Sequence, residues 1–157
     1  MELEVQRHER IMAPLPLVWE EIDSLDQILA KSPHVCEYEV VPGGQKARGK
    51  TRLAWGPVKW TVDLEVTIVE IQPRQRLTFA IAAPALEVYS EATIELASIG
   101  ADETRLDYRG HLDVRHRMAR HMRGLFNEIA EDQAHSLVHR VKARAEQRRL
   151  AQERLLK

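Results

Sequence analysis

The chain has one cysteine, Cys36, in 157 residues. An internal disulfide and a zinc site built from thiolates are therefore excluded. A lone cysteine fits a reducing compartment, and a cytoplasmic location is the expectation. Aromatic residues make up only 5% of the chain, too few for the stacking platforms that hold single-stranded nucleic acid. No excess of one charge exists either: 23 basic residues stand against 24 acidic ones, a net charge of −1. Overall charge thus selects neither nucleic acid nor an anionic surface as a partner. No apolar run approaches the ~20 residues that cross a bilayer. The start, Met1-Glu2-Leu3-Glu4-Val5, lacks the basic and apolar regions of a secretory leader. The sequence contains no Gly-x-Ser-x-Gly elbow and no Gly-rich phosphate loop.

What is present is periodicity. Glu2 to Ile11 alternates loosely and reads as an edge strand. Ala13-Pro14-Leu15-Pro16 interrupts it, and Leu17, Val18, Trp19 and Ile22 give a short helix. Asp23-Ser24 opens a second short helix through Leu25, Ile28 and Leu29. Ser32-Pro33 closes it, because the residue before proline is pushed out of the α region. From Val35 the period becomes two. Strands follow over Val35 to Val41, Ala47 to Trp55, Trp60 to Ile68, Leu77 to Ile81, Leu86 to Leu96 and Leu106 to Val114. Pro42-Gly43-Gly44, Gly56-Pro57 and Pro73-Arg74 supply turns. Trp60, Val62, Leu64, Val66 and Ile68 alternate most cleanly with polar residues.

Near Arg117 the period changes again. Met118, Met122, Leu125, Phe126, Ile129, Leu137 and Val141 recur at helical spacing, with no proline and only Gly124 to interrupt. The predicted order is strand, two short helices, six strands, one long helix. This is an α+β chain: an antiparallel sheet of six or seven strands, curled by its twist, with one helix long enough to cover its apolar face. No internal boundary is visible. Residues 1–147 read as one domain and 148–157 as a basic helical tail.

Several segments carry a resemblance. They are Val18-Trp19 followed by Asp23-Ser24-Leu25-Asp26, Gly49 leading to Trp55-Gly56-Pro57-Val58-Lys59, and Val69-Glu70-Ile71-Gln72-Pro73-Arg74-Gln75-Arg76. Together with the layout they resemble the helix-grip proteins of the START and Bet v-like SRPBCC superfamily. Within it they look similar to the polyketide cyclase-like group that includes the G-type accessory protein of carbon monoxide dehydrogenase. One departure is Ser32-Pro33-His34-Val35-Cys36, where that group usually carries a Leu-Pro-Gly turn. The resemblance implies a sheet gripping the C-terminal helix and a cavity between them for a hydrophobic small molecule such as a lipid, quinone or polyketide-like ring. It also implies two alternatives: a cyclase- or dehydratase-like enzyme, and an accessory factor for a molybdenum hydroxylase.

The expected ligand-binding residues are those on the apolar faces: Tyr38, Trp55, Trp60, Val62, Leu64, Phe79, Val88, Ser90 and Tyr108 on strands, and Met122, Leu125, Phe126 and Ile129 on the helix. Leu53, Ile81 and Leu106 share those faces. Tyr38, Ser90 and Tyr108 would orient a ligand by hydrogen bonds. The same residues could instead fill a solid core.

Other candidates read as surface. His135 and His139 have metal-ligand spacing, but with Glu128 and Asp132 they fall on the helix face turned from Met122 and Leu137. A pair such as Glu131 with His135 suits a solvated face. No metal and no cofactor is expected. Asp63, Glu65, Glu87, Glu91, Glu95, Asp107 and Asp113 share the polar parity of their strands, so no catalytic residue is assigned. Arg7 and His34 could reach the mouth of a cavity. Cys36 shares parity with Tyr38 and reads as a buried, inert thiol. Residues 140–157 carry seven basic and two acidic residues with Leu150, Leu155 and Leu156. That composition suits peripheral contact with the inner face of a membrane or with a protein partner, and no nucleic acid.

Overall fold

The structure is a computed structural model describing residues 1–117 and 121–156; Met118 and the side chain of Trp55 lie outside the described set. The elements follow the order read from the sequence. Strand β1 (Glu2–Ile11) is followed by α1 (Leu15–Glu20) and α2 (Leu25–Ala30). Then come β2 (Val35–Val40), β3 (Lys46–Trp55), β4 (Val58–Gln72), β5 (Arg76–Ala83), β6 (Val88–Gly100), β7 (Glu103–Val114) and α3 (Arg123–Leu155). A single 3-10 turn, Pro84–Leu86, joins β5 to β6.

Helix α1 starts with proline in its first turn, where the missing N–H costs nothing. In α2 the Ser24 hydroxyl caps the N-terminus, accepting from the Gln27 N–H at 3.2 Å. These two helices carry the chain from one edge of the sheet to the other. All seven strands form one antiparallel sheet in the order β1-β7-β6-β5-β4-β3-β2. The chain therefore places β1 and β2 at opposite edges, and β1 closes onto the last strand. Gly56, at φ 60°, supplies the left-handed residue of the β3–β4 turn.

Register puts one apolar face inward. Val62, Leu64 and Val66 of β4, Leu77 and Phe79 of β5, Ala92, Ile94 and Leu96 of β6, and Leu106 and Tyr108 of β7 are buried. Helix α3 lies over β1 and β7. At 33 residues and 1.5 Å per residue it is about 50 Å long. It buries Phe126, Ala134, Leu137, Val138, Val141 and Ala145. The three positions that the apolar period did not single out are Ala134, Val138 and Ala145. Alanine leaves the helix backbone close to what it packs against.

Two expectations are corrected. The helix starts at Arg123, not near Arg117. No side chain caps it, and arginines crowd the preceding segment, where they oppose the positive end of the helix dipole. Cys36 is exposed, not buried; its Sγ donates to the Lys50 carbonyl at 3.2 Å. A β-bulge between Val35 and Glu37 breaks the alternation at this residue, so Cys36 does not follow the inward parity of Tyr38.

The buried residues form two apolar clusters. One surrounds α1, α2 and the C-terminal half of α3, and contains Ile11, Val18, Ile22, Ile28, Leu77, Leu137 and Val141. The other lies around the start of α3 and contains Leu3, Leu53, Val62, Leu64, Val88, Val114 and Phe126.

Candidate functional site

A cavity of about 140 Å³ opens between the sheet and α3, where the two apolar clusters meet. Its sheet wall is built from Leu64 of β4, Phe79 and Ile81 of β5, Val88, Ser90 and Ala92 of β6, and Tyr108 of β7. Phe126, Ile129, Ala130 and Gln133 of α3 form the opposite wall. His34, Val35, Thr51 and Leu53 sit at the β2–β3 side, and Leu3 and Val5 of β1 at the other. Among the described residues no Asp or Glu lines the cavity. Such a surface suits an apolar, uncharged guest, because an ionised group would lose its hydration without a counter-charge.

The volume sets a scale. Drug-sized ligands occupy pockets of roughly 300–1,000 Å³. A space near 150 Å³ lined by Leu, Ile and Phe holds a molecule about the size of benzene.

Tyr108 is the polar group that stands out. Its side chain is only 6% exposed, and its hydroxyl has no hydrogen-bond partner among the described residues. Burial alone pushes the phenol up to about 12. The hydroxyl thus stays protonated at neutral pH and can donate or accept a hydrogen bond. The ring extends along β7 over Gly110. A Cβ there would lie 3.2 Å from the ring Cε1 and 3.4 Å from the hydroxyl. Glycine at 110 leaves the ring its place, and Gly110 itself lines the cavity.

Of the remaining polar lining, Thr51, Gln133 and His34 are engaged with the protein and His111 lies 3.7 Å from Glu2, while the Ser90 hydroxyl has no partner among the described residues. The Thr51 hydroxyl donates to the His34 carbonyl at 2.6 Å. Gln133 Nε2 donates to Ser32 Oγ at 2.8 Å, and that hydroxyl donates to the Ile28 carbonyl. His34 Nε2 lies 2.9 Å from Asp132 Oδ2, which joins the α2–β2 loop to α3 at the cavity rim. The His34 side chain is 29% exposed.

The expected binding residues divide by position. Leu64, Phe79, Val88, Ser90, Tyr108, Phe126 and Ile129 line the cavity, with Leu53 and Ile81. Val62 and Met122 are buried in the neighbouring cluster; Trp60 and Leu125 pack against it half-buried. None of these four reaches the cavity surface. Leu106 is buried in the larger cluster. Tyr38 stands on edge strand β2 at 37% exposure, and partial burial with the nearby Asp26 carboxylate raises its phenol. The Trp55 side chain lies outside the described set. Sequence periodicity did not single out Gln133, Ala130, Thr51 or Val5. Gln133 and Thr51 are polar, and Ala130 is too small to mark an apolar face. Val5 lies on a loosely alternating edge strand.

Other candidates fall elsewhere. Arg7 reaches α3, donating from Nη2 to Glu131 Oε2 at 2.8 Å, so Glu131 pairs across elements and not with His135. The Arg7 Nε is buried without a partner. His135 and His139 stack on the exposed helix face, ring centroids 6.0 Å apart. Among the described residues no group of three or more His, Cys, Asp or Glu side chains could hold a metal ion. No described helix is long and apolar enough to cross a membrane.

A second polar centre lies at the far end of α3, and sequence reading did not foresee it. Glu21, 2% exposed, and Lys31, 3% exposed, form an ion pair at 3.5 Å. The Lys31 ammonium also donates to the Glu21 and Gln27 carbonyls at 2.9 and 3.2 Å. Arg144 Nε and Arg148 Nη1 donate to the two Glu21 carboxylate oxygens at 2.8 and 3.1 Å. Burial works to raise the Glu21 carboxyl. The hydrogen bond from Arg144 and the charge of Lys31 outweigh it and hold the group below the ordinary glutamate range. Burial lowers the Lys31 ammonium, with Glu21 opposing.

No curated protein matches the sequence. Among solved structures, a conserved protein from Geobacillus kaustophilus superposes with a TM-score of 0.75 at 15% identity, over 92% of this chain and 96% of its own. A START superfamily protein from Mycobacterium smegmatis gives a TM-score of 0.68 at 10% identity, over 92% and 97%. A point mutant of norcoclaurine synthase from Thalictrum, in complex with a transition-state analogue, gives 0.61 at 14% identity, over 90% and 94%. At these identities the likeness is one of fold, the helix-grip architecture of the SRPBCC superfamily. The family model described as polyketide cyclase / dehydrase and lipid transport matches residues 2–145, and the chain belongs to that family.

Proposed function

We propose that this protein binds a hydrophobic small molecule in the cavity between the sheet and α3, without transforming it. The observation that carries this reading is an apolar space at the seam of two packed clusters, onto which the hydroxyl of Tyr108 opens with no partner among the described residues. A close-packed interior of this size would fill such a space or satisfy such a group. Affinity would come mainly from buried apolar area, at about 25 cal/mol per Å². Of lipid, quinone and polyketide-like ring, the volume favours a ring over a chain. An enzymatic reading of the cyclase kind needs an acid–base group facing the ligand. Tyr108, protonated at neutral pH, is a poor base, and His34, paired with Asp132, stands at the rim and not among the apolar groups that would enclose the ligand. Native mass spectrometry of protein purified from its own host tests the reading. A bound apolar molecule, lost on blocking the cavity, is the expected result. Ligand-free protein that also takes up no apolar probe would overturn it.

A second reading rests on the end of α3. Leu150, Leu155 and Leu156 are 52%, 86% and 88% exposed on a basic helix terminus. Such an end supports docking to an anionic membrane surface, the kind of accessory role that the likeness to the carbon monoxide dehydrogenase group implies. Co-sedimentation with anionic vesicles that is lost on removing residues 148–157 is the expected result; sedimentation unchanged by that truncation would exclude it.

A further inference from the structure

The cavity restricts its guest more narrowly than a general hydrophobic site does. Three observations act together. Its volume of about 140 Å³ admits one ring and little more. Its lining carries no Asp, Glu, Lys or Arg among the described residues, and its two histidines, His34 and His111, face Asp132 and Glu2, so a charged guest finds no free counter-ion. The hydroxyl of Tyr108, a residue only 6% exposed, opens on the cavity without a hydrogen-bond partner among the described residues, as does that of Ser90 on β6. Thr51 and Gln133 already have partners within the protein.

We propose that the ligand is a compact, uncharged, single-ring molecule bearing one hydroxyl or carbonyl oxygen, which pairs with the Tyr108 hydroxyl while Phe79, Ile81, Phe126 and Ile129 enclose the ring. This rests on the binding function proposed above and gives that site a substrate class. Tyrosine both donates and accepts, so either oxygen type completes it. Phe79 and Phe126 face the space from opposite walls, and aromatic rings pack well against a flat guest. A long acyl chain or a fused polycycle exceeds the volume of the cavity.

The test uses four probes with the full chain, titrated by protein NMR: phenol, its near-isostere toluene, 2-naphthol and oleate. Phenol and toluene are both expected to bind. The Tyr108→Phe variant should weaken phenol relative to toluene by about five- to tenfold, the effect of one buried hydrogen bond. Naphthol and oleate should bind about tenfold or more weakly than phenol, since over-filling a packed site is unfavourable. A measurement on the unaltered chain guards against a variant that fails to fold. With only three tyrosines in the sequence, the ring Cζ resonance of Tyr108 can be followed, and phenol should shift it while toluene does not. A phenol-to-toluene ratio unchanged in Tyr108→Phe, or an unmoved Cζ resonance, would overturn the role of Tyr108. Oleate or naphthol binding more tightly than phenol would overturn the single-ring class and leave the binding function standing. Failure of all four probes would overturn the binding function itself.

Discussion

The two ends of α3 solve opposite problems. Toward its C-terminus the helix packs on α1 and α2 in a filled core, and the polar groups taken inside are matched: Glu21 meets Lys31, Arg144 and Arg148. Toward its N-terminus the same helix stands over space, and the Tyr108 and Ser90 hydroxyls that line it have no partner among the described residues. One end has its hydrogen bonds and volume completed by the protein. The other leaves both to be completed by something else. The contrast indicates where a ligand can act, because only an incomplete interior gains by taking a guest.

The largest expected effect comes from the completed end. Glu21→Ala would leave Lys31 buried without its counter-charge and should cost about 3 kcal/mol, read from urea unfolding. The same group gives a pH signature. Its carboxyl is held below the ordinary range in the folded chain. Its stabilisation is therefore full above the ordinary glutamate value and is lost as pH falls through the depressed folded value. Glu21→Gln should flatten the acid limb of the stability profile; an unchanged limb would mean that other carboxylates set it.

One substitution made at two neighbouring helix positions tests the contrast itself. Ala134→Leu falls in the filled core, where the residue is fully buried, and over-packing should cost about 1–3 kcal/mol. Ala130→Leu, one turn earlier, points three extra carbons at the cavity. It should leave stability within about 1 kcal/mol of the parent, or raise it, while abolishing phenol binding. Equal losses at both positions would show that the cavity end is as closely packed as the other.

The smallest effect concerns the rim. His34→Ala removes an exposed contact to Asp132 and should change stability by less than about 0.5 kcal/mol. Ligand dissociation should nonetheless quicken, because the link between the α2–β2 loop and α3 is gone. Unchanged dissociation in stopped-flow measurements would separate the rim from ligand exchange.

The fold was largely legible because its signals are local. The alternation of Val62, Leu64 and Val66, the proline–glycine turns and the shift to helical spacing each reside within a few residues. The site was legible by half. Leu64, Phe79, Val88, Ser90, Tyr108, Phe126 and Ile129 share a face by parity and do line the cavity. Val62, Trp60, Met122 and Leu125 share that face too, yet lie beside the cavity, because parity gives the side of a sheet and not the position along it. Cys36 misled because a bulge between Val35 and Glu37 breaks the alternation there, and Tyr38 because it stands half out of the sheet on edge strand β2.

The sequence alone determined the element order, the antiparallel sheet and the apolar face turned to one long helix. These follow from periodicity, which acts through neighbouring residues. The tertiary structure alone decided where that interior is full and where it is hollow. Glu21 finds Arg144 and Arg148 more than 120 residues away, and the Tyr108 hydroxyl finds no hydrogen-bond partner among the described residues. No local pattern encodes either outcome, because both depend on which surfaces the completed fold brings within reach.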